Sequence, residues 1–502
     1  MMLLGEILAA KGWVNEDDIE RALDYQRQNG GRFGDCLVKL GVITREQIES
    51  LFSEIPKAPT RLADLDVDPM LVLQLMVKAM YVENLARASQ IADALKLPQS
   101  IVEELLDMTV ERKLTEVVGQ TESLVGAYGE KRYVLSTAGK DWAVESLDIS
   151  QYVGPAPVSL KSYVARVLQQ RISHELVSRP AIEEAFSHLV IADRFLDRLG
   201  PFINSGEAML IYGPAGNGKT SIAECIGHVF RNVVYIPYCF EVDGNIVKVF
   251  DPAVHRLIFK GANGGEQPIS LQRDESDLRW VPCHRPMIVT GGELTLDMLD
   301  LKFSEISKFY EAPLHIKALN GIFLIDDFGR QRAEPEDILN RWIMPLNNRV
   351  DYLQLHTGKS FQVPFDELVI FSTNLHPAEL MDPAFLRRIS YKLETEAPPE
   401  PVFRQVFEDM ARNATLELTE DIYQQVLDTI RENEAPLAYF QPKFIVNQVL
   451  ASCKFQSMAP QFTRENVEDA MLNLFVNSSY EGLGKATAAK PLPVRPPAAL
   501  TA

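Results

Sequence analysis

The sequence predicts an α/β fold in which a buried parallel sheet carries a phosphate-binding site. The first observation is the run 213–220, Gly-Pro-Ala-Gly-Asn-Gly-Lys-Thr, which lies between a strand-like apolar run and a helix-like run. The second is a pair of apolar runs, 321–325 and 368–371, that each end in polar residues. Because parallel strands are buried on both faces, near-continuous apolar runs are typical of them. Helical patterns precede and follow this region, so helical domains are expected on both sides.

The glycine-rich run has every position of a phosphate-binding loop filled, in the strand–loop–helix context that the motif requires. Its glycines allow tight turns that aim backbone N–H groups at phosphate oxygens. Lys219 is expected to reach the β- and γ-phosphates, and the Thr220 hydroxyl to ligate Mg²⁺. The sequence therefore predicts a site for ATP and Mg²⁺. The residues expected to contact the nucleotide are Gly213, Pro214, Ala215, Gly216, Asn217, Gly218, Lys219, Thr220 and Ser221.

Two acidic residues directly follow the apolar run 321–325. Asp326 and Asp327 would stand at the carboxyl end of a strand beside the phosphate-binding loop, which is where Mg²⁺ is held in such folds. We therefore expect Asp326 to be a metal ligand and Asp327 to orient and polarise the attacking water. The alternative is a solvated acidic turn, and the loop upstream argues against it.

Further polar residues follow later in the chain. Asn374 comes just after the apolar run 368–371, so its amide is expected to sense the γ-phosphate or to position the water. Arg387 and Arg388 follow a helix-like turn and are candidates to reach the γ-phosphate of a neighbouring subunit. Taken alone, an arginine pair is more often part of a solvated surface. Its place after the other elements favours the catalytic interpretation.

In this order, the elements resemble the AAA+ ATPases, over about residues 175–480. The resemblance implies an α/β core followed by a helical lid, and a homo-oligomeric ring such as a hexamer that hydrolyses ATP. It assigns the Walker A motif to 213–220, the Walker B motif to 324–327, sensor 1 to Asn374, and the arginine finger to Arg387, Arg388 or both.

Two positions depart from the family pattern. Most AAA+ hydrolases carry Glu after the metal-binding Asp, whereas this chain has Asp327, whose shorter side chain is expected to slow hydrolysis. The sensor 2 position of the lid is usually Arg, and the best match here is Lys443. Lysine keeps the charge but lacks the bidentate fork of arginine.

Length and composition indicate a multidomain protein, since 502 residues exceed what one hydrophobic core usually serves. The formal net charge of −19 argues against nucleic acid and anionic membranes as partners. No apolar run approaches the ~18 residues of a membrane span. The five cysteines lack CxxC spacing, which fits a reducing compartment and predicts a cytoplasmic protein.

The expected divisions are a helical repeat domain at 1–57, a winged-helix-like domain at 65–150, a linker with a helix at 151–174, the α/β ATPase core at 175–395, the helical lid at 396–477 and a disordered tail at 478–502.

The first domain contains an internal repeat. Gly12 and Gly41 hold matching positions in two copies that are offset by 29 residues. Each copy is predicted to form a short helix, a glycine turn and a second, capped helix. Such a unit cannot bury its apolar face alone, so the two copies should pack on each other. The expected caps are Asn15 with Glu16 in the first copy and Thr44 with Gln47 in the second.

This repeat resembles the amino-terminal domain of type II secretion and type IV pilus assembly ATPases, some of which bind cyclic di-GMP there. The second copy has Arg32, Gly34 and Gly41 of that motif but Ile55 in place of Gln, and the first has Leu3 in place of Arg. Half of the polar groups that would hold the ligand are missing, so cyclic di-GMP binding is disfavoured. We expect a protein partner to dock on residues 1–150 instead.

Residues 68–150 are predicted to form three helices, a hairpin and a further helix. The helices are expected at 69–81, 89–95 and 98–112, the strands at 114–118 and 132–135, and the last helix near Lys140, after Ser136. This order looks like a winged helix, a fold that docks proteins as readily as DNA. DNA binding is disfavoured because phosphate would be repelled by the acidic face of the third helix. That face consists of Glu103, Glu104, Asp107 and Glu111.

Within the core, 233–238 is predicted to be a strand and 242–246 a hairpin with an Asp-Gly turn. The segment between this hairpin and the run 321–325 is longer than a minimal core requires. It contains candidates for a pore loop that grips a substrate, but their spacing fits a buried helix face as well, which we favour. These candidates are Phe303, Phe309 and Tyr310. Four helix-like segments from about 401 to 477 fit the lid. The tail from 478 lacks the apolar content to fold and is expected to be a tether.

Three functions fit these expectations. The first is an oligomeric remodelling or assembly ATPase, linked by its amino-terminal repeat to pilus or secretion machinery or to cyclic di-GMP signalling. The second is a DNA-associated ATPase of initiator or helper type, suggested by the pair Asp326-Asp327 and opposed by the acidic charge. The third is a slow ATP-dependent switch. We favour the first.

Overall fold

The computed structural model describes residues 2–120, 130–191, 193–258 and 276–475. The chain divides into two compact units. The first unit contains residues 1–214 and 219–395, and the second contains residues 215–218 and 396–502. The tail predicted at 478–502 and the last residues of the predicted lid lie outside the described residues.

Residues 2–54 form two helix–turn–helix copies, as the repeat predicted. Gly12 and Gly41 lie in the turns with left-handed φ angles of 70° and 71°. The copies also pack on each other: a Cβ on Gly34 would lie 3.4 Å from the Leu4 side chain, and Gly34 therefore leaves room for it. The helices are α1 (Met2–Ala10), α2 (Glu16–Asn29), α3 (Phe33–Lys39) and α4 (Arg45–Glu54).

Capping boxes open both second helices of the repeat. The Asn15 side chain accepts the Asp18 N–H at 2.8 Å, and the Asp18 carboxylate accepts the Asn15 N–H at 3.2 Å. Thr44 and Gln47 make the same reciprocal pair, as expected. The partner of Asn15 is Asp18 and not Glu16, because a capping box joins residues three apart and Glu16 is the first helical residue.

Residues 69–120 and 130–149 form the helices and the hairpin that the sequence predicts for this region. The strands of the hairpin are antiparallel. Ser136 accepts the Gly139 N–H at 3.1 Å and caps the last helix, which begins at Thr137 and not near Lys140. The acidic face of the third helix is exposed. The elements are α5 (Pro69–Glu83), α6 (Ala88–Leu95), α7 (Gln99–Glu111), β1 (Thr115–Gln120), β2 (Lys131–Leu135) and α8 (Thr137–Ile149).

The remaining elements of the first unit include both strands and helices. In chain order they are β3 (Val158–Ser159), α9 (Leu160–Gln169), α10 (Arg179–Ala185), α11 (Asp193–Ser205), β4 (Met209–Tyr212), α12 (Lys219–Val229), β5 (Val233–Pro237), β6 (Cys239–Val242), β7 (Asn245–Lys248), β8 (Trp280–His284), β9 (Met287–Thr290), β10 (Lys302–Phe303), β11 (Tyr310–Glu311), α13 (Leu314–Lys317), β12 (Ile322–Ile325), α14 (Pro335–Arg341), α15 (Ile343–Asn348), β13 (Val350–Gln354), β14 (Ser360–Pro364), β15 (Leu368–Thr373), α16 (Pro377–Leu380), α17 (Pro383–Leu386) and β16 (Tyr391–Glu394).

A parallel sheet of five described strands, in the order β16-β4-β15-β12-β9, is the centre of the first unit. Its two faces are covered by separate apolar clusters. Leu324 and Ile370 face the cluster that contains Ile222 and Ile226 of α12, whereas Phe323 and Phe371 face the cluster of Trp342. The molecule therefore has the α/β core with a parallel sheet that the sequence predicts, and the phosphate-binding loop joins its strand β4 to α12.

A second sheet, ordered β10-β11-β7-β6-β3, includes a strand from the segment 151–174, for which the sequence predicts a linker with a helix. The helix is α9. β3 pairs in parallel with β6, and Ala156 just before it is buried and donates its N–H to Leu95 O at 2.8 Å. Residues 151–174 are therefore packed into the first unit.

The predicted hairpin is β6–β7, and Asp243 and Gly244 form its turn with φ angles of 53° and 77°, as a turn of type I′ requires.

The aromatic candidates for a pore loop lie on or beside the short strands β10 and β11, so the expected helix is wrong. All three nevertheless pack against apolar clusters, Tyr310 as a buried residue and Phe303 and Phe309 as half-buried ones. Tyr310 is 1% exposed, and its ring centroid lies 5.0 Å from that of Phe303. The Phe309 ring packs edge-on against Tyr152, with 5.7 Å between centroids.

The described part of the second unit beyond residue 396 consists of four helices, as the sequence predicts. They enclose one apolar cluster that includes Phe403, Phe407, Val426 and Ile445. Across both units, no helix in the described residues has the length and apolar content needed to cross a membrane. The four helices are α18 (Glu400–Asn413), α19 (Glu420–Glu432), α20 (Phe440–Phe455) and α21 (Arg464–Leu474).

Candidate nucleotide-binding site

The phosphate-binding loop begins where β4 ends. Gly213 has a φ angle of 141°, and a Cβ at this position would lie 2.3 Å from Thr395 O, so only glycine fits. Thr395 follows β16 and donates its N–H to Tyr212 O at 2.8 Å. Sequence reasoning missed Thr395, because only the pairing of β16 with β4 brings it to the loop.

Lys219 is the first residue of α12 and is 6% exposed. Its ammonium group donates to Gly213 O at 3.0 Å and to Pro214 O at 2.8 Å. Burial lowers the pKa of Lys219, while the carboxylates of Asp326 and Asp327 act in the opposite direction. The first two carbonyl groups of the loop thus hold the Lys219 ammonium group.

Thr220 connects the loop to the strand that carries the acidic pair. Its hydroxyl donates to Asp326 Oδ2 at 2.8 Å, although the two residues are 106 positions apart. A hydroxyl and a carboxylate are hard oxygen ligands, and Mg²⁺ usually takes one or two protein ligands and keeps several waters. Thr220 and Asp326 therefore fit a Mg²⁺ site, although the described residues contain no cluster of three or more His, Cys, Asp or Glu ligands.

Asp327 lies beside Asn374, as neighbouring strand ends should. The Asn374 amide donates to Asp327 Oδ1 at 2.8 Å, and Asp327 is exposed. β12 and β15 are adjacent parallel strands, with Ile325 opposite Phe371. The backbone of Asp327 is left-handed, with a φ angle of 48°, a conformation that costs a non-glycine residue about 1–3 kcal/mol. A strained backbone at this position defines where the carboxylate points.

The arginine pair follows α17, a short helix that Asp382 caps by accepting the Phe385 N–H. Arg388 donates to Ala384 O at 3.1 Å. Arg387 is exposed, and its guanidinium group has no hydrogen-bond partner among the described residues. Among the described residues, neither arginine makes a hydrogen bond or an ion pair with Asp326 or Asp327.

The remaining loop residues, 215–218, belong to the second unit together with Lys443. The Phe440 N–H donates to Gly216 O at 3.1 Å, and a Cβ on Gly216 would lie 2.2 Å from the Phe440 ring. Asn217 is buried, and its side-chain oxygen has no partner among the described residues. Lys443 is exposed on α20, three positions after Phe440.

Comparisons with known proteins give one family model for a short segment and several solved structures of low similarity. A family model described as a domain of unknown function (DUF8689) matches residues 399–473, which is a small part of the chain. No curated protein matches the sequence. The solved structure of NtrX from Brucella abortus is similar at 14% identity and a TM-score of 0.36 over 59% of this chain, which spans 57% of the NtrX chain.

Two structures of Thermotoga maritima RuvB are similar to about the same degree. The P216G mutant is 13% identical with a TM-score of 0.31, over 61% of this chain and 73% of RuvB. The structure of the RuvB Holliday junction branch migration motor is 14% identical with a TM-score of 0.30, over 63% of this chain and 72% of RuvB. Scores this low carry no argument about function. The function is therefore argued from the geometry of the site.

Proposed function

We propose that the protein is an AAA+ ATPase that hydrolyses ATP with Mg²⁺. The observation that carries the proposal is the contact of Thr220 with Asp326 at 2.8 Å, beside the contact of Asn374 with Asp327 at 2.8 Å. These contacts bring together side chains from the loop and from two strand ends at the carboxyl edge of the sheet, where ligands of open α/β sheets bind.

Each residue has a role that its position supports. Lys219 and the N–H groups of the loop bind the phosphates, and Thr220 and Asp326 hold Mg²⁺. Bound Mg²⁺ supplies charge neutralisation at the phosphate oxygens. Asp327 keeps one carboxylate oxygen for the attacking water, because Asn374 holds the other. Lys443 is proposed to contact the nucleotide from the lid, which is formed by the helices of the second unit.

The ring is the second part of the proposal. The exposed guanidinium of Arg387, with Arg388 beside it, is suited to enter the site of a neighbouring subunit. We therefore propose a cytoplasmic homo-oligomer, such as a hexamer, that remodels or assembles a protein docked on residues 1–150, in pilus or secretion machinery or in another pathway. Cyclic di-GMP remains disfavoured as a ligand.

Two other functions remain as alternatives. A DNA-associated initiator or helper ATPase fits the acidic pair of the Walker B strand, but the exposed acidic face of α7 opposes it. A slow switch fits the short side chain of Asp327. Salt-sensitive DNA binding would favour the former, and turnover far below about 1 per second would favour the latter.

The deciding experiment measures steady-state ATP hydrolysis against protein concentration. A rate per subunit that rises with concentration is expected, because a shared site needs two subunits.

Lys219→Ala should weaken ATP binding by about 100-fold or more, since charge-assisted bonds to two phosphates are lost. Lys39→Ala, an exposed lysine of α3, is the matched control. Tight binding by Lys219→Ala would refute the proposed site.

The arginine finger is tested by mixing variants. Arg387→Ala or Arg388→Ala should leave ATP binding intact and lower kcat by about 1,000-fold. Mixing the inactive arginine variant with an inactive Asp326→Asn variant should restore hydrolysis, because one variant supplies the intact site and the other the intact arginine. Mixtures that stay inactive would contradict a finger acting in trans.

A further inference from the structure

Gln331 lies in the loop between β12 and α14, and its amide group holds the turn that carries the acidic pair. Its Nε2 donates to Asp326 O at 3.0 Å and to Asp327 O at 3.2 Å, and lies 3.5 Å from Gly291 O after β9. Its Oε1 accepts the Gly329 N–H at 2.8 Å. One side chain thus fixes both carbonyl groups of the acidic pair and links their turn to the neighbouring strand.

The turn that Gln331 holds has an unusual backbone. Asp327 has a φ angle of 48° and Gly329 one of 103°. The opposite side of the turn is held by β15, because Phe328 donates its N–H to Ser372 O at 2.7 Å. Left-handed residues persist only where their surroundings determine them. Gln331 supplies a side-chain restraint at the residue whose carboxylate faces Asn374, and the Thr373 hydroxyl supplies another, since it donates to Phe328 O at 2.7 Å.

We propose that Gln331 is a positioning residue for ATP hydrolysis, which acts by holding Asp327 in the conformation that aims its carboxylate. This inference rests on the proposed ATPase function. Among the described residues, Gln331 makes no hydrogen bond to Lys219 or Thr220. Its loss is therefore expected to change kcat and to leave nucleotide affinity almost unchanged.

The first variant removes the amide. Gln331→Leu should lower kcat by about 10- to 100-fold, because a small misplacement of a catalytic group has effects of that size. The Kd for ATP should stay within about twofold of the wild-type value. A purely structural clamp would give a different result, namely a lower melting temperature with kcat unchanged in the folded fraction.

The second variant keeps the shape of the side chain and removes the donor. Gln331→Glu is isosteric and keeps the acceptor for Gly329, but an ionised carboxylate cannot donate to the carbonyl groups of Asp326 and Asp327. At neutral pH its kcat should therefore fall by about 10- to 100-fold, as that of Gln331→Leu does.

A control for the added charge is available on β14. Gln362→Glu on the exposed face of β14 adds the same charge outside the loop and should leave kcat unchanged.

The outcomes separate the two proposals. If the wild type binds ATP but shows no turnover at any concentration, the ATPase proposal and the positioning role both fall. If the wild type is active and Gln331→Leu keeps its kcat within about twofold, the positioning role alone is refuted. Should Gln331→Leu fail to fold, Gln331→Glu decides, and a kcat within about twofold of the wild-type value at neutral pH would refute the role.

Discussion

Strands β12 and β15 have polar residues at both ends, and the two ends are built differently. At the amino end, the Asn320 amide donates to Asp366 Oδ2 at 2.7 Å and to Val167 O at 2.9 Å, and its oxygen accepts from Gln170 at 2.9 Å. Asn320 is 1% exposed. Arg285 adds a bond to the Asn320 carbonyl at 2.6 Å. Each polar atom of the Asn320 side chain is therefore bonded within the chain.

At the carboxyl end, the two carboxylates accept hydrogen bonds from uncharged donors. Asp326 accepts from Thr220, and Asp327 accepts from Asn374. The nearby Lys219 ammonium donates to loop carbonyls instead. At the amino end, which we call the closed end, the hydrogen bonds of Asn320 and Asp366 fix the backbone. At the carboxyl end, which we call the open end, the carboxylates of Asp326 and Asp327 keep their negative charge for a cation.

The largest effect is expected at the open end. Asp326→Asn should reduce Mg²⁺-dependent turnover on the order of 1,000-fold, because the carboxylate that holds the metal is lost. The melting temperature should stay constant or rise, since one of two adjacent like charges is removed. ATP hydrolysis at saturating Mg²⁺ and thermal unfolding measure the two effects. A variant that loses stability and keeps its turnover would reverse the comparison.

A smaller effect, of the opposite kind, is expected at the closed end. Asp366→Ala leaves the Asn320 amide and the Ile172 N–H without their acceptor, at 2.7 and 3.0 Å in the native chain. The free energy of unfolding should fall by about 2–4 kcal/mol, which urea titration measures. Turnover per folded molecule should hardly change. A strong loss of turnover without loss of stability would mean that the amino end also acts in catalysis.

The open end could be predicted from the sequence because its signals are local. The glycine-rich run fixes the loop by itself, Asp326 directly follows an apolar run that forms a strand, and Asn374 lies three positions after another such run. Adjacent parallel strands end at the same edge of the sheet, so placing these residues together required only the correct recognition of strands.

The closed end could not be predicted, because its bonds join residues far apart in the chain. Asn320 and Gln170 are 150 positions apart, and Ile172 and Asp366 are 194 apart. No local pattern marks such pairs. The same reason explains why the sequence indicates the helix within 151–174 but not the packing of this segment, and why Gln331 was missed although it lies only five positions from Asp326. Its role depends on the turn that its own side chain closes.

The smallest effect concerns Glu367, which lies at the closed end but, unlike Asn320, has no hydrogen-bond partner for its side chain among the described residues. Glu367 is fully buried just before β15, and neither carboxyl oxygen has a partner among the described residues. Burial raises its pKa well above the ordinary value, with the charges of Asp351 and Asp366 acting in the same direction and Arg349 against them. The folded chain therefore keeps a proton that the unfolded chain releases, and stability is lost as the pH rises above the unfolded pKa.

Replacing this carboxyl group should stabilise the protein. Glu367→Met is expected to raise the free energy of unfolding by about 1 kcal/mol at a pH near 5, and by more at a pH near 8, because the wild type alone loses stability with rising pH. Thermal or urea unfolding at both pH values measures the gain. Glu367→Gln is the matched control, since it removes the titration and keeps a polar group. Equal gains for Glu367→Met at both pH values would mean that the carboxyl does not titrate in this range, and a loss would mean that it makes a stabilising contact and the amino end has no exception.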